Sequence, residues 1–315
     1  ATARARGKLK LRSGFFTAFN SAIALRSGGS VAQEGPIVHI GSVVGSVIGQ
    51  WLKVSREHMS TLVGCGAAAG LAAIFKAQIA GVIFVLEVLL RELSLRTFMP
   101  IVIASVFGVT VNQAIQHHYG AVFAIRQGVA YQFTLHEILP YLVLGVVCGL
   151  VAAFYTSTLR TLEHLWEKVN VHKLVKPALG GLVLGAMGVL ILLLYPRAMP
   201  VYHLPAFFGN GYPVVEAMLN PNTYLQPGGI DAGRITLGFV LLALLGKVAG
   251  TGTSLGSGGS GGLFAPSLFV GAMAGGAYGL VLRATGLFTQ ISPASYALAG
   301  MAGVLSGAVH CPLTA

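Results

Sequence analysis

Long charge-poor runs punctuate the chain, among them Thr97–Gln116, Ile138–Thr158, Ala178–Tyr195 and Ile235–Leu245, the last extended past a lone Lys247. A helix needs roughly 20 such residues to cross a hydrocarbon core, and several of the runs reach that length. The pattern predicts an all-α, polytopic membrane protein. The polar positions are placed just as unevenly. Basic residues gather at the ends of the apolar runs, in three clusters: Arg4 to Arg12, Arg91 with Arg96, and Arg160, Lys168, Lys173 and Lys176. Lys and Arg flanking a span mark its cytoplasmic end, so all three clusters are expected inside. The segment 117–133, with one Arg in 17 residues, is then expected outside.

Composition agrees. Apolar residues make up 55% of the 315, charged residues only 9%, and mean hydropathy is +0.77. A soluble domain carries about 25% charged residues, so this surface cannot be covered for water. The net charge of +11 would suggest nucleic acid in a soluble protein, but here it belongs to the flanks of spans, and no nucleic-acid partner is expected. Cys65, Cys148 and Cys311 show no pairing pattern and are expected to be buried small residues.

One segment occurs twice. LRSGGSVAQEGPIVHIGSVVGSVIG (25–49) and LGSGGSGGLFAPSLFVGAMAGGAYG (255–279) share nine of 25 positions without a gap. With a four-residue shift the repetition continues, laying Phe75-Lys76-Ala77 over Val309-His310-Cys311. The expected organisation is the latter part of a first inverted repeat over 1–133 and a second repeat over 134–315. By comparison of the two copies, about 100 residues are expected before the first and several helices after the second. Paired, Gly/Pro-interrupted apolar segments point to a transport site built on discontinuous helices. Each SGGS loop is followed by a proline in the first turn of a helix, where its missing N–H costs nothing. Each of those helices has Gly at spacing four, at 41, 45 and 49 and at 271, 275 and 279, a face for close packing.

The start of a helix offers unpaired N–H groups and partial positive charge, and so attracts anions. Gln33, Glu34 and Gly35 supply such amides in one copy, and Leu263, Phe264 and Ala265 in the other. Glu34 is the informative difference, because its carboxylate can occupy the anion site itself. Protonating it or swinging it out would open the path. An ionisable residue within a membrane is functional by default, and a gating role is expected over a plain capping carboxylate.

These residues resemble the CLC family of chloride channels and chloride/proton antiporters. The family's G-[KR]-E-G-P is similar to Ala32-Gln33-Glu34-Gly35-Pro36, departing at the first two positions. Its G-x-F-x-P is similar to Gly262-Leu263-Phe264-Ala265-Pro266. The likeness runs on through 74–93 and through FGNGYP (208–213). It implies a CLC-type inverted repeat with broken, tilted helices, chloride as the transported ligand, no other cofactor, and a homodimer with one pore per subunit. It also implies an integral, multi-pass location, in the cell membrane if the host is prokaryotic. By match, Glu34 takes the place of the external gating glutamate. The amides of Leu263 and Phe264 correspond to the central anion site, and those of Gln33, Glu34, Gly35 and Ala265 to the external one. In the family's GILFxxEE segment, Glu87 matches the structural first acid and Val88 stands at the proton-transfer position. Valine relays no proton, which favours a passive channel. A chloride/proton antiporter with another proton route stays open, as does a cation-coupled solute transporter of a different inverted-repeat fold.

Other features carry less. GTGTSLGSGGSGG (250–262) looks like a nucleotide loop but lacks the following Gly-Lys-Ser/Thr. His39 and His310 are expected in helical apolar stretches, without a second ligand at metal spacing. His117-His118 is expected as a solvated pair. Lys76 and Lys247 are expected to snorkel or to raise the local potential for anions. No Ser–His, His–Glu or paired-Asp constellation stands out in the spans, so no enzymatic activity is expected.

Overall fold

A computed structural model describes residues 8–91, 94–117, 123, 135–172, 175–194, 205–220, 235–286 and 292–315. Arg4, Arg6, His118, Lys173 and all of the expected outer segment 117–133 except His117 and Phe123 lie outside the described residues. The described residues form α1 (Leu11–Arg26), α2 (Glu34–Trp51), α3 (Arg56–Phe75), α4 (Gln78–Phe84), α5 (Leu95–Gln116), α6 (Ile138–Lys168), α7 (Lys176–Leu194), α8 (Tyr212–Leu219), α9 (Leu237–Gly256), α10 (Phe264–Thr285) and α11 (Pro293–Val309). A π-helical turn, Val85–Leu90, continues α4, and a 3₁₀ turn, Leu135–Glu137, leads into α6. Strands are absent among the described residues. Six helical segments are long and apolar enough to cross a membrane: Arg56–Phe75, Leu95–Gln116, Leu135–Lys168, Lys176–Leu193, Leu237–Gly256 and Phe264–Thr285.

The charge-poor runs locate these helices to within two residues at their starts and match the ends of α5 and α7 to within one, but they fall short at the ends of α6 and α9. α6 begins at Ile138 as the run does, then continues ten residues beyond Thr158 to Lys168. At about 46 Å for its 31 residues it outruns the hydrocarbon core. α9 continues from Leu245 to Gly256, so residues 250–256 of the supposed glycine loop are helical and only 257–262 form a loop. Small residues there are not chain breakers; they let neighbours approach. A Cβ on Gly252 would strike Leu162, and one on Gly256 would meet Trp166, both on α6.

The helices cluster into two compact units. The first comprises the described residues within Ala1–Ile23, Gln33–Val122 and His310–Ala315. Its centre is the α2–α3 pair, where a Cβ on Gly41 would land on the Gly66 carbonyl and one on Gly66 on the Gly41 carbonyl. Backbones approach this closely only where side chains are missing. α5 lies on α3, with Asn112 Nδ2 donating to the Ala73 carbonyl at 2.7 Å. Ser105 Oγ donates to the Gln78 carbonyl at 2.8 Å.

The second unit comprises Ala24–Ala32 and the described residues within Phe123–Val309. Its α10–α11 pair repeats the same geometry, with Gly271 and Gly300 each blocked by the other's carbonyl. Gly45 meets the Leu62 carbonyl as Gly275 meets that of Tyr296. The matching positions lie 230 residues apart in the first helix of each pair and 234 in the second. α3 and α11 also end alike, on non-glycine residues in the left-handed region: Lys76 at φ 54° and His310 at φ 57°. His310 thus terminates a helix and is exposed, rather than lying within an apolar span.

Candidate anion-path loops and helix starts

α1 and α9 stop in the same way before their SGGS loops. Gly28 (φ 87°) and Gly258 (φ 99°) take the left-handed conformation that only glycine adopts cheaply. Gly29 N–H then bonds back to the Ala24 carbonyl and Gly259 N–H to that of Ser254, both at 2.9 Å. Together with the Gly28 to Leu25 and Gly258 to Leu255 bonds, this is the Schellman ending that satisfies a helix's last carbonyls.

Beyond the glycines the two loops meet inside the second unit. Ala32 N–H donates to the Gly262 carbonyl at 3.1 Å, and Gly262 N–H returns the bond to Ala32 at 2.7 Å. Val31, fully buried, covers Gly261, where a Cβ would strike it. Ser30 lies against Gly250, with a fitted Cβ on that glycine 3.2 Å from Ser30 Cβ. Ser30 N–H donates to Ser254 Oγ at 3.1 Å, and Ser30 Oγ and Thr251 Oγ1 share a hydrogen bond of 3.3 Å.

Each loop then enters a helix whose N-cap contributes no side chain. Gln33 before α2 and Leu263 before α10 both make no capping hydrogen bond. Hydroxyls cap three other helices, with Ser55, Ser94 and Thr236 accepting N–H groups of α3, α5 and α9, while α4, α6 and α8 also go without a side-chain cap. The dipoles of α2 and α10 are thus left without hydroxyl caps at their positive ends, the arrangement an anion seeks. In the first unit Gln33 is half-buried, Glu34 only 1% exposed and Gly35 exposed. In the second, Leu263 is 41% exposed, Phe264 half-buried and Ala265 buried. A carboxylate buried in the first turn of a helix lies at the positive end of that helix's dipole.

Glu87 and Val88 fall in the π-helical turn after α4. Glu87 Oε1 accepts the Leu313 N–H at 3.0 Å. Its Oε2 accepts the Thr314 N–H at 3.1 Å and the Thr314 hydroxyl at 2.7 Å. Three donors on one carboxylate make it an anchor for the 311–314 turn. Val88, half-buried, has no titratable atom.

Lys247 corrects an expectation. It does not snorkel; it is fully buried, and Nζ donates to the carbonyls of Gly209 at 2.6 Å and Phe207 at 3.3 Å. Nζ also lies 5.3 Å from the centre of the Phe269 ring. The FGNGYP segment turns around this ammonium, with Gly209 at φ 62° and Gly211 at φ 81°. Sequence reading missed these partners, and it missed Ser30, Thr251 and Ser254. The signal for the last three was a second mismatch between the copies: at a spacing of 230, Ser254 stands opposite Ala24 and Thr251 opposite Ser21.

With this geometry in view, likeness to known proteins is informative. A family profile described as voltage gated chloride channel matches residues 1–315. A ClcB-like protein of Ralstonia nicotianae is 32% identical over 313 residues, covering 98% of this chain and 66% of that protein. A solved CLC-type fluoride/proton antiporter superposes with a TM-score of 0.70 at 24% identity, over 91% of this chain and 64% of its own. A slow cyanobacterial Cl−/H+ antiporter gives 0.72 at 22% identity, over 92% of this chain and 63% of its own. At such identities the two structures speak to fold alone. The chain spans 66% of the length of that relative and slightly less of the two structures.

Proposed function

This chain belongs to the voltage-gated chloride channel family, and from that premise we propose that it conducts chloride through a pore gated by Glu34. Membership makes it an integral, multi-pass ion-transport protein rather than an enzyme. The amides of Gln33, Glu34 and Gly35 and those of Leu263, Phe264 and Ala265 are the proposed anion ligands. Chloride is the only ligand in this proposal, and a homodimer with one pore per subunit is part of it.

The observation that carries the reading is the asymmetry between two otherwise equivalent helix starts. Both lack a side-chain cap, both follow loops of the same conformation, and only one has a buried carboxylate. Neutral amides suit conduction, since an ion must bind well enough to enter and weakly enough to leave. When ionised, Glu34 competes with chloride for N–H groups at the start of α2; when protonated, it gives them up.

Passive conduction is favoured over exchange for two reasons. Val88 cannot carry a proton, and the neighbouring Glu87 carboxylate is committed to three donors from Leu313 and Thr314. Proton exchange, named for both structurally similar proteins, is the second reading and requires a route that bypasses Val88. Reversal potentials in liposomes under combined chloride and pH gradients separate the two. The channel reading expects the chloride Nernst potential at every pH gradient. Displacement towards the proton equilibrium potential overturns it.

A further inference from the structure

The segment Ser30–Ala32 is docked onto the second glycine loop and the end of α9 at three successive residues. Ser30 is seated on Gly250 and bonded to Ser254 and Thr251, Val31 covers Gly261, and Ala32 exchanges backbone bonds with Gly262. The docking closes a ring. From Ser254 the chain runs to Gly262, crosses by two hydrogen bonds to Ala32, and returns through Ser30 to the Ser254 hydroxyl. A bridge of two backbone bonds alone is a hinge; a second attachment two residues away removes the rotation. Every polar group in the second attachment is buried, with Ser30 and Thr251 fully so. A backbone N–H buried there without its acceptor is costly.

The arrangement has no counterpart in the other copy. The residue equivalent to Ser30 is Ser260, which is only half-buried. The residue equivalent to Ser254 is Ala24, which has no hydroxyl to accept an N–H. The latch therefore holds the loop that leads into the Glu34 helix, and its symmetry mate is missing from the loop that leads to Phe264. Ala32 is two residues from Glu34 along the chain, so what fixes Ala32 fixes the entry into α2.

We propose that Ser30, Thr251 and Ser254 form a one-sided hydroxyl latch that positions the start of α2 and so sets the pH response of the Glu34 gate. This rests on the gating reading above. These are positioning residues: each acts through the backbone of 30–32, and none is assigned a contact with the ion. With the latch closed, gating is a movement of the Glu34 side chain from a fixed helix start. With the latch open, the helix start loosens, Glu34 is held less well on its amides, and the closed state loses population.

The test is chloride efflux from liposomes as a function of external pH, measured for the protein, Glu34→Gln, Ser254→Ala, Ser254→Thr and Thr251→Val, each checked for monodispersity. Ser254→Ala is expected to raise flux at neutral pH by roughly threefold to tenfold, the effect of one buried hydrogen bond on the closed state. Its pH midpoint should move upward by a corresponding margin. Ser254→Thr keeps the acceptor and should restore the original profile. Thr251→Val, nearly isosteric, should shift the midpoint in the same direction as Ser254→Ala, and it carries the test alone if Ser254→Ala fails to fold. In a Glu34→Gln background, none of the latch variants should change flux further. An unmoved midpoint in both Ser254→Ala and Thr251→Val overturns the latch. So does a change of the same size with and without Glu34, which marks general damage to the pore. If Glu34→Gln keeps the original pH profile, the gating reading itself fails, and this is seen before any latch variant is compared.

Discussion

Glu87 holds Thr314 at two points, accepting its backbone N–H at 3.1 Å and its hydroxyl at 2.7 Å. These residues are 227 positions apart in the chain. The carboxylate accepts the Leu313 N–H and shares the Thr314 N–H with the Cys311 carbonyl at 3.2 Å, and so fixes the turn after α11 within the first unit. Substituting Glu87→Ala removes the acceptor of the Leu313 N–H and of the Thr314 hydroxyl, and leaves the Thr314 N–H only the Cys311 carbonyl. It is expected to lower stability by about 1–3 kcal/mol, read as a lower temperature of monodispersity loss on size-exclusion after heating. Glu87→Gln should fall between, because its carbonyl oxygen accepts while its amide NH2 faces a donor. A wild-type profile for Glu87→Ala would contradict the anchoring role.

Lys247 is a second internal anchor, and its environment predicts unequal replacements. Lys247→Met keeps the aliphatic stem but removes the donor to the Gly209 and Phe207 carbonyls. A loss of about 1–3 kcal/mol is expected for the stranded acceptors. Lys247→Arg should not rescue, because a planar guanidinium needs more room than a fully buried ammonium occupies. Thermal unfolding followed by tryptophan fluorescence checks both.

The glycines divide into two classes that mutagenesis should separate cleanly. A Cβ at Gly66 would overlap the Gly41 carbonyl, whereas a Cβ at Gly149 on α6 meets nothing within 4 Å. Gly66→Ala should force α2 and α3 apart and abolish folded yield in membranes. Gly149→Ala should be tolerated or stabilising by up to about 1 kcal/mol, the helix-propensity difference. Equal yields of the two variants would argue against the packing described.

Glu34→Gln tests the gate directly. On the proposed gating, ionised Glu34 competes with the anion and protonation releases it, so flux is expected to rise as pH falls. The neutral glutamine mimics the protonated state. The variant should therefore conduct severalfold more at neutral pH and lose most of its pH dependence in liposome efflux. A folded variant with unchanged flux and unchanged pH response would remove Glu34 from the gate.

Sequence alone determined what depends on local composition. Charge-poor runs long enough for a bilayer require helices, because in lipid the backbone must satisfy its own hydrogen bonds. The repeat was visible because close helix packing tolerates only glycine at set positions, so Gly41, Gly45 and Gly49 recur as Gly271, Gly275 and Gly279. Helix ends were harder. The stretch 250–256 looks like a loop by composition, and it is helical because α6 packs Leu162 and Trp166 into its glycine surface.

Tertiary structure decided the partners of isolated polar groups. Nothing near Glu87 in the chain announces Leu313 and Thr314, and nothing near Ser30 announces Thr251 and Ser254. A hydrogen bond between residues more than 200 positions apart depends on how the helices stack, which no local preference encodes. Lys247 shows the same limit from the other side. Its charge within an apolar run left snorkelling and an effect on anions both open, and burial was possible only because the turn at 207–211 brings two carbonyls to it. The carboxylate of Glu34 could be recognised from its sequence position alone, since a helix start and its dipole are local properties. What holds that helix start in place was not, because the hydroxyls involved come from the other end of the chain.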